Sequence, residues 1–211
     1  MKLRKEVLLL VVVLFATSAL AQKKVPAGGI VWNSVSQVYF NPGNLTGQVA
    51  GYFTYFPEID DLFAGSPSLA TARFTFRSDT LQLQPLSNPG SLSIILMSGG
   101  VWKIYYNPTP AGDWTNLDSF SQGQLVATLT HGTKELIGTG AAGTSMFSGD
   151  VIATYDFVLD GNTYNVGKIF PDGFTNFSTV SNVPVTGTAD FPVGFPYASS
   201  AIAKARDSKE D

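Results

Sequence analysis

Period-two alternation of apolar and polar residues runs through most of this chain. Its fullest statement is 149–170, where Val151, Ala153, Tyr155, Phe157 and Leu159 share one parity while Asp150, Thr154, Asp156 and Asp160 take the other. A strand with one buried and one wet face has that pattern. Asp160-Gly161-Asn162 tolerates positive φ, so a tight hairpin turn is expected there, with Tyr164, Val166 and Phe170 on the return strand.

Further strands follow from the same reading. Ile30, Trp32, Val38 and Phe40 share a parity, as do Val49, Gly51, Phe53 and Tyr55; Asn41-Pro42-Gly43-Asn44 turns the chain between them. Ala70, Ala72, Phe74 and Phe76 oppose Thr71, Arg73, Thr75 and Arg77, and Leu81 and Leu83 oppose Gln82 and Gln84. Asn88-Pro89-Gly90 is a turn, and the near-continuous apolar run Leu92 to Met97 is covered on both faces. Ser98-Gly99-Gly100 turns that run into Trp102, Ile104 and Tyr106 as a second hairpin. Leu125, Ala127 and Leu129 resume the sheet, His131 to Glu135 turns it, and 136–139 returns. Pro184 and Pro192 punctuate 183–193 as an edge strand.

These elements predict one all-β domain over 22–196. The first expectation is an antiparallel up-and-down barrel of about eight to ten strands, with a two-sheet sandwich as the alternative. Alanines mixed with Lys204, Arg206, Lys209 and Glu210 make 197–211 a charged tail, short-helical or partly disordered.

The first 21 residues read differently. Lys2, Arg4 and Lys5 precede an apolar run from Val7 to Phe15, and Ala19-Leu20-Ala21 offers small residues for cleavage. That is a secretory signal peptide, since a membrane anchor needs about 20 apolar residues. The expected location is extracellular or periplasmic, and no other segment predicts a membrane span. The chain has no cysteine, which excludes disulfides and a lipidated cysteine alike. Without Lys2, Arg4, Lys5 and Glu6, 13 basic and 16 acidic residues become 10 and 15, a net charge of −5. Such a surface argues against nucleic acid as a partner.

Candidate chemistry is sparse. One histidine, His131, reads as a surface turn residue, and it cannot by itself assemble a triad or a metal centre. Glu58, Asp60 and Asp61 lack the ligand spacing of a calcium loop. Arg73 and Arg77 share a sheet face, which reads as a soluble outer face rather than an anion patch. Asp150 and Asp156 share a parity and Asp113 and Asp172 lie in loops, so acid/base work would require them to converge. Asn44-Leu45-Thr46 and Asn176-Phe177-Ser178 match the glycosylation pattern. No cofactor or metal is expected.

The aromatic inventory points further. The 107–123 stretch carries Trp114 and Phe120 without periodicity and is expected to fold back as a lid or plug. Trp102, Trp114, Tyr106, Phe120 and Tyr155 are the candidate ligand-binding residues. The leading expectation is a small apolar or aromatic ligand in a barrel cavity. The alternatives are a structural or protein-interaction module of the cell exterior, with an extracellular protein partner, and a cofactor-free isomerase or cyclase.

Overall fold

The strands of this protein, seen in a computed structural model that describes residues 22–86, 93–132, 134–139 and 142–205, close into an eight-stranded antiparallel barrel with additional short strands. The signal segment, the Asn88-Pro89-Gly90 turn and 206–211 lie outside the described residues. In chain order the elements are β1 (Ile30–Asn41), β2 (Thr46–Tyr55), β3 (Phe74–Ser78), β4 (Leu81–Leu86), β5 (Ser93–Ser98), β6 (Val101–Tyr106), β7 (Gln124–Thr130), β8 (Lys134–Thr139), β9 (Ala142–Gly149) and β10 (Val151–Thr154), then β11 (Phe157–Leu159), β12 (Asn162–Tyr164), α1 (Val166–Ile169), β13 (Phe174–Ser181), β14 (Val185–Thr186) and β15 (Val193–Ala203).

Eight of these segments pair off into four long staves. Phe74 faces Tyr106 and Leu86 faces Ile94, so thirteen residues along β3–β4 match thirteen along β5–β6. Both runs are therefore continuous strands, kinked at Asp79-Thr80 and at Gly99-Gly100. β7–β8 and β9–β10 behave alike. Thr130 N–H donates to Asp150 O at 2.8 Å and Gly132 N–H to Ser148 O at 3.2 Å, which carries the ladder past the break. Gly99 and Gly100 have φ of +83° and +70°, a backbone that residues bearing a Cβ avoid. With these staves counted whole, each strand neighbours the next in sequence, and β15 returns to pair β1. The up-and-down order is as read; the sandwich alternative is not adopted.

Five readings need correction. The Ser98-Gly99-Gly100 hairpin does not form: β5 pairs with β4 and β8, and β6 with β3 and β7, because two positive-φ glycines bend a strand here instead of reversing it. His131-Gly132 likewise interrupts a strand without turning it. The return strand of the 149–170 unit stops at Tyr164, although its turn forms at Asp160 (φ +49°) and Gly161 (φ +80°). Val166, Ile169 and Phe170 have helical spacing and are all buried, and Asn165 Oδ1 caps the turn by accepting from Gly167 N. The expected helical tail is β15 as far as Ala203, paired on both sides. Tyr197, Ser199, Ala201 and Ala203 point inward, and sheet closure overrides alanine's helix propensity. Only β14 lies within the edge strand read at 183–193, before β15 begins at Val193.

One core fills the barrel. Trp32, Phe53, Phe76, Trp102, Phe147 and Phe174 stack across it. Phe56, Ile59, Leu62, Phe157, Leu159 and α1 close one end, where Val25 N–H donates to Ile169 O at 2.8 Å. The strands that bring Trp32, Phe147 and Phe174 also carry small interior residues: Ser34, Ser36, Ser145 and Ser178, with Ser199 on β15, are buried. They satisfy one another, with Ser34 Oγ 2.7 Å from Ser199 Oγ and 3.3 Å from Ser36 Oγ, and Ser145 bonded to Ser178. Large side chains on one wall meeting small ones on the other is how a narrow barrel is filled. Among the described residues no helix is long and apolar enough to cross a membrane.

Candidate functional site

The five aromatic candidates do not share one site. Trp102 and Tyr106 point inward on β6 as read. Trp102 is stacked on Phe76 at 4.8 Å between ring centroids and lies 5.1 Å from Phe147; Tyr106 lies 5.1 Å from Phe74. Both are packed among rings and line no open space where they touch them. Phe120 and Trp114 lie outside the wall, in a second cluster with Tyr39, Ala50, Leu69, Leu117 and Phe191. The 107–123 segment is therefore a plate on the outer face of β1–β3 and not a lid over the mouth. Its short 3₁₀ turn, Leu117–Ser121, seats the fully buried Phe120, and Thr75 Oγ1 donates to Phe120 O at 2.8 Å. Tyr39 Oη donates to Trp114 O at 2.8 Å, and burial, aided by Asp113, raises its pKa far above the usual tyrosine value. Tyr155 is 49 % exposed and belongs to neither cluster.

His131, read as a surface residue, is buried against Phe147 (4.5 Å) and Trp102 (5.8 Å), because the strand runs on through it into the core. The aspartates are used structurally. Asp150 pairs with Lys204, Asp172 with Lys24, and Asp156 accepts from Asn165 Nδ2. Asp113 accepts from the N–H and hydroxyl of Thr115, which hold its pKa below the usual range, the reverse of what a general acid requires. Arg73 pairs with Asp61 and Arg77 with Asp118, so neither guanidinium is an open anion site. Asn176 is fully buried and accepts from Trp32 Nε1 at 3.3 Å, which removes it as a glycosylation acceptor; Asn44 is exposed.

Two concave surfaces lie on the outside of the barrel. The first is a groove of about 760 Å³ across β1, β15, β13, β9 and β8. Val35, Ile137, Met146 and Phe177 furnish its apolar side chains, with Asn33, Thr54, Thr144, Thr179 and Ser200 among the polar ones. Met146 is 57 % exposed and Phe177 45 %, and none of the described lining residues is charged. The groove overlies the wall that carries Ser34, Ser145, Ser178 and Ser199.

The second surface is polar and lies beside the Phe120 plate. One lobe, about 710 Å³, runs between 115–118 and 188–191; another, about 330 Å³, reaches Asp79, Lys103 and Tyr105. Both share Gln48, Arg77 and Thr80. Arg77 Nε donates to Gln48 Oε1 at 3.0 Å, Arg77 Nη1 to Asp118 Oδ1 at 2.6 Å, and Gln48 Nε2 to Thr80 Oγ1 at 3.2 Å. Burial raises the Tyr105 pKa, against the pull of Lys103 and Arg77. Lys103 is raised by its bond to Asp79.

Sequence reading singled out none of the groove residues for binding, and Phe177 and Ser178 entered it only within a glycosylation triplet. Their only signal was that Val35 lies between two serines and Met146 and Phe177 beside one each, and such a pattern does not say which face is inside. Among the described residues no group of three or more His, Cys, Asp or Glu side chains is placed to hold a metal. Comparisons with protein-family models, with curated proteins and with solved structures return no match for this chain.

Proposed function

We propose that the protein is an exported structural module that assembles with a second copy of itself through the outer groove. The carrying observation is that exposed Phe177 and Met146 lie in a groove whose described lining side chains carry no charge. A chain of net charge −5 repels its own copies over most of its surface, and a neutral apolar patch is where two copies meet without that cost. A charge-depleted centre with Met and aromatic residues, ringed by hydroxyls and amides, is the composition of an interface core. Export rests on the basic start, the apolar run and Ala19-Leu20-Ala21.

A second reading, binding of a small apolar or aromatic ligand, keeps the size of the groove in its favour, since ligand sites run to about 300–1,000 Å³. Against it, the apolar side chains stand too exposed to enclose a small molecule.

Sedimentation velocity on residues 22–211, from about 1 to 500 µM, separates the two. Self-association that Phe177→Arg or Met146→Lys abolishes, with the melting temperature unchanged, is the expected result. A monomer at every concentration overturns the proposal. If that monomer is stabilised by N-phenyl-1-naphthylamine, and Phe177→Arg removes the effect, the small-ligand reading takes its place.

A further inference from the structure

We infer that the two-lobed polar cleft on the opposite side of the barrel is a binding site for a neutral polyhydroxylated ligand, an oligosaccharide. This does not rest on self-association; it concerns a different face and different residues.

The chemistry of the cleft selects that class. A sugar offers neighbouring hydroxyls, each both donor and acceptor, and planar side chains that carry paired groups match them. Where the lobes meet, Gln48, Arg77 and Asp118 form a hydrogen-bonded chain, with Asn116 and Thr80 beside it. The chain is fixed at its inner end, because Gln48 is buried on the sheet and held by Thr80. Its outer end is open, because the Asp118 side chain is 83 % exposed. A polar array already oriented before binding loses little freedom on binding.

Charge excludes the nearest competitor. Arg77 and Lys103 are the two cations of the cleft, against Asp79, Asp118 and Asp190. Arg77 is paired to Asp118 and Lys103 to Asp79 at 2.7 Å, so a phosphate or carboxylate would meet carboxylates already in place. A neutral ligand meets none of that repulsion. Half-buried Tyr105 in the smaller lobe adds a ring against which the C–H face of a pyranose can lie. The larger lobe alone, about 710 Å³, is roomier than one sugar unit requires.

The test is calorimetric titration of residues 22–211 with cellohexaose, xylohexaose, chitohexaose and, as the anionic arm, hexagalacturonate. Saturable binding of at least one neutral hexamer is expected, weakened about tenfold or more by Gln48→Ala and by Asp118→Ala, which each remove a hydrogen-bonding group. Asp118→Ala lies on the exposed rim, so it remains informative should Gln48→Ala unfold the chain. Phe177→Arg, on the far wall, is expected to leave the titration unchanged. The inference is overturned if no neutral hexamer binds, if only hexagalacturonate binds, or if Asp118→Ala leaves affinity intact.

Discussion

The two halves of the barrel wall are built inside out with respect to each other. On β2, β3 and β6 the interior carries Phe53, Phe76, Trp102 and Ile104, while the outside carries Gln48, Arg77, Lys103 and Tyr105. On β1, β9, β13 and β15 the interior carries the serine set, with Trp32, Phe147 and Phe174 toward the α1 end and Val38, Val180 and Tyr197 elsewhere, and the outside carries Val35, Met146 and Phe177. The lesson is that large side chains reaching across a narrow barrel leave room for small ones on part of the facing wall. Where the interior of that wall is small, its apolar residues serve the outer surface. Each wall then presents a different exterior: a polar cleft over the ring-bearing half, an apolar groove over the serine-bearing half.

The sharpest way to break that contrast is to empty the filled half. Trp102 is almost fully buried and stacked on Phe76, so Trp102→Ala is expected to cost about 3–5 kcal/mol in urea unfolding. Trp102→Phe removes an indole N–H that has no acceptor among the described residues, and it should cost distinctly less. If Trp102→Ala costs under about 1 kcal/mol, the site lacks the tight packing assigned to it.

Legibility in the sequence divides along the same line. Trp102, Ile104 and Tyr106 alternate with Lys103 and Tyr105, so hydropathy and orientation agree, and that half was readable strand by strand. On β13 the inward residues are Phe174, Asn176, Ser178 and Val180, and the outward ones include Phe177. Hydropathy nearly cancels between the faces, and which one is interior depends on barrel closure, a property of all eight strands. β15 was missed for a related reason: small inward residues suit this wall but imitate a helix in isolation. In sequence the Gly99-Gly100 kink is indistinguishable from a turn, because positive φ serves a bend and a reversal equally well. The cleft joins Gln48, Arg77 and Asp118 from separate segments, and no local pattern announces such a meeting.

A second test uses the phenol placed in the serine half. Tyr197 faces inward on β15 opposite Ser36, and burial raises its pKa far above the ordinary value near 10, with Ser36 offsetting part of the rise. Below pH 10 folded and unfolded chains both hold the proton. Above it the unfolded chain loses the proton while the folded chain keeps it, so stability falls by about 1.4 kcal/mol per pH unit for this group until its folded pKa is reached. Tyr197→Phe should flatten the alkaline limb of a melting-temperature titration by that increment. An unchanged limb would mean that Tyr197 ionises freely in the folded barrel.

The smallest effect expected is also the most specific to the serine half. Ser34→Ala removes the partner of Ser199 at 2.7 Å and of Ser36 at 3.3 Å, and should cost about 0.5–1.5 kcal/mol. Much of that cost is the stranded Ser199 hydroxyl, because burial without a partner is more expensive than having no hydroxyl at all. The double variant Ser34→Ala/Ser199→Ala should therefore lose less than the two single variants added together, and chemical denaturation of the four proteins reads the coupling directly. Strict additivity would mean that each hydroxyl finds other acceptors, and that the wall is polar inside merely because serine is small. Coupling would mean that the paired hydroxyls are what allow a polar face to be turned inward, leaving Phe177 and Met146 outside.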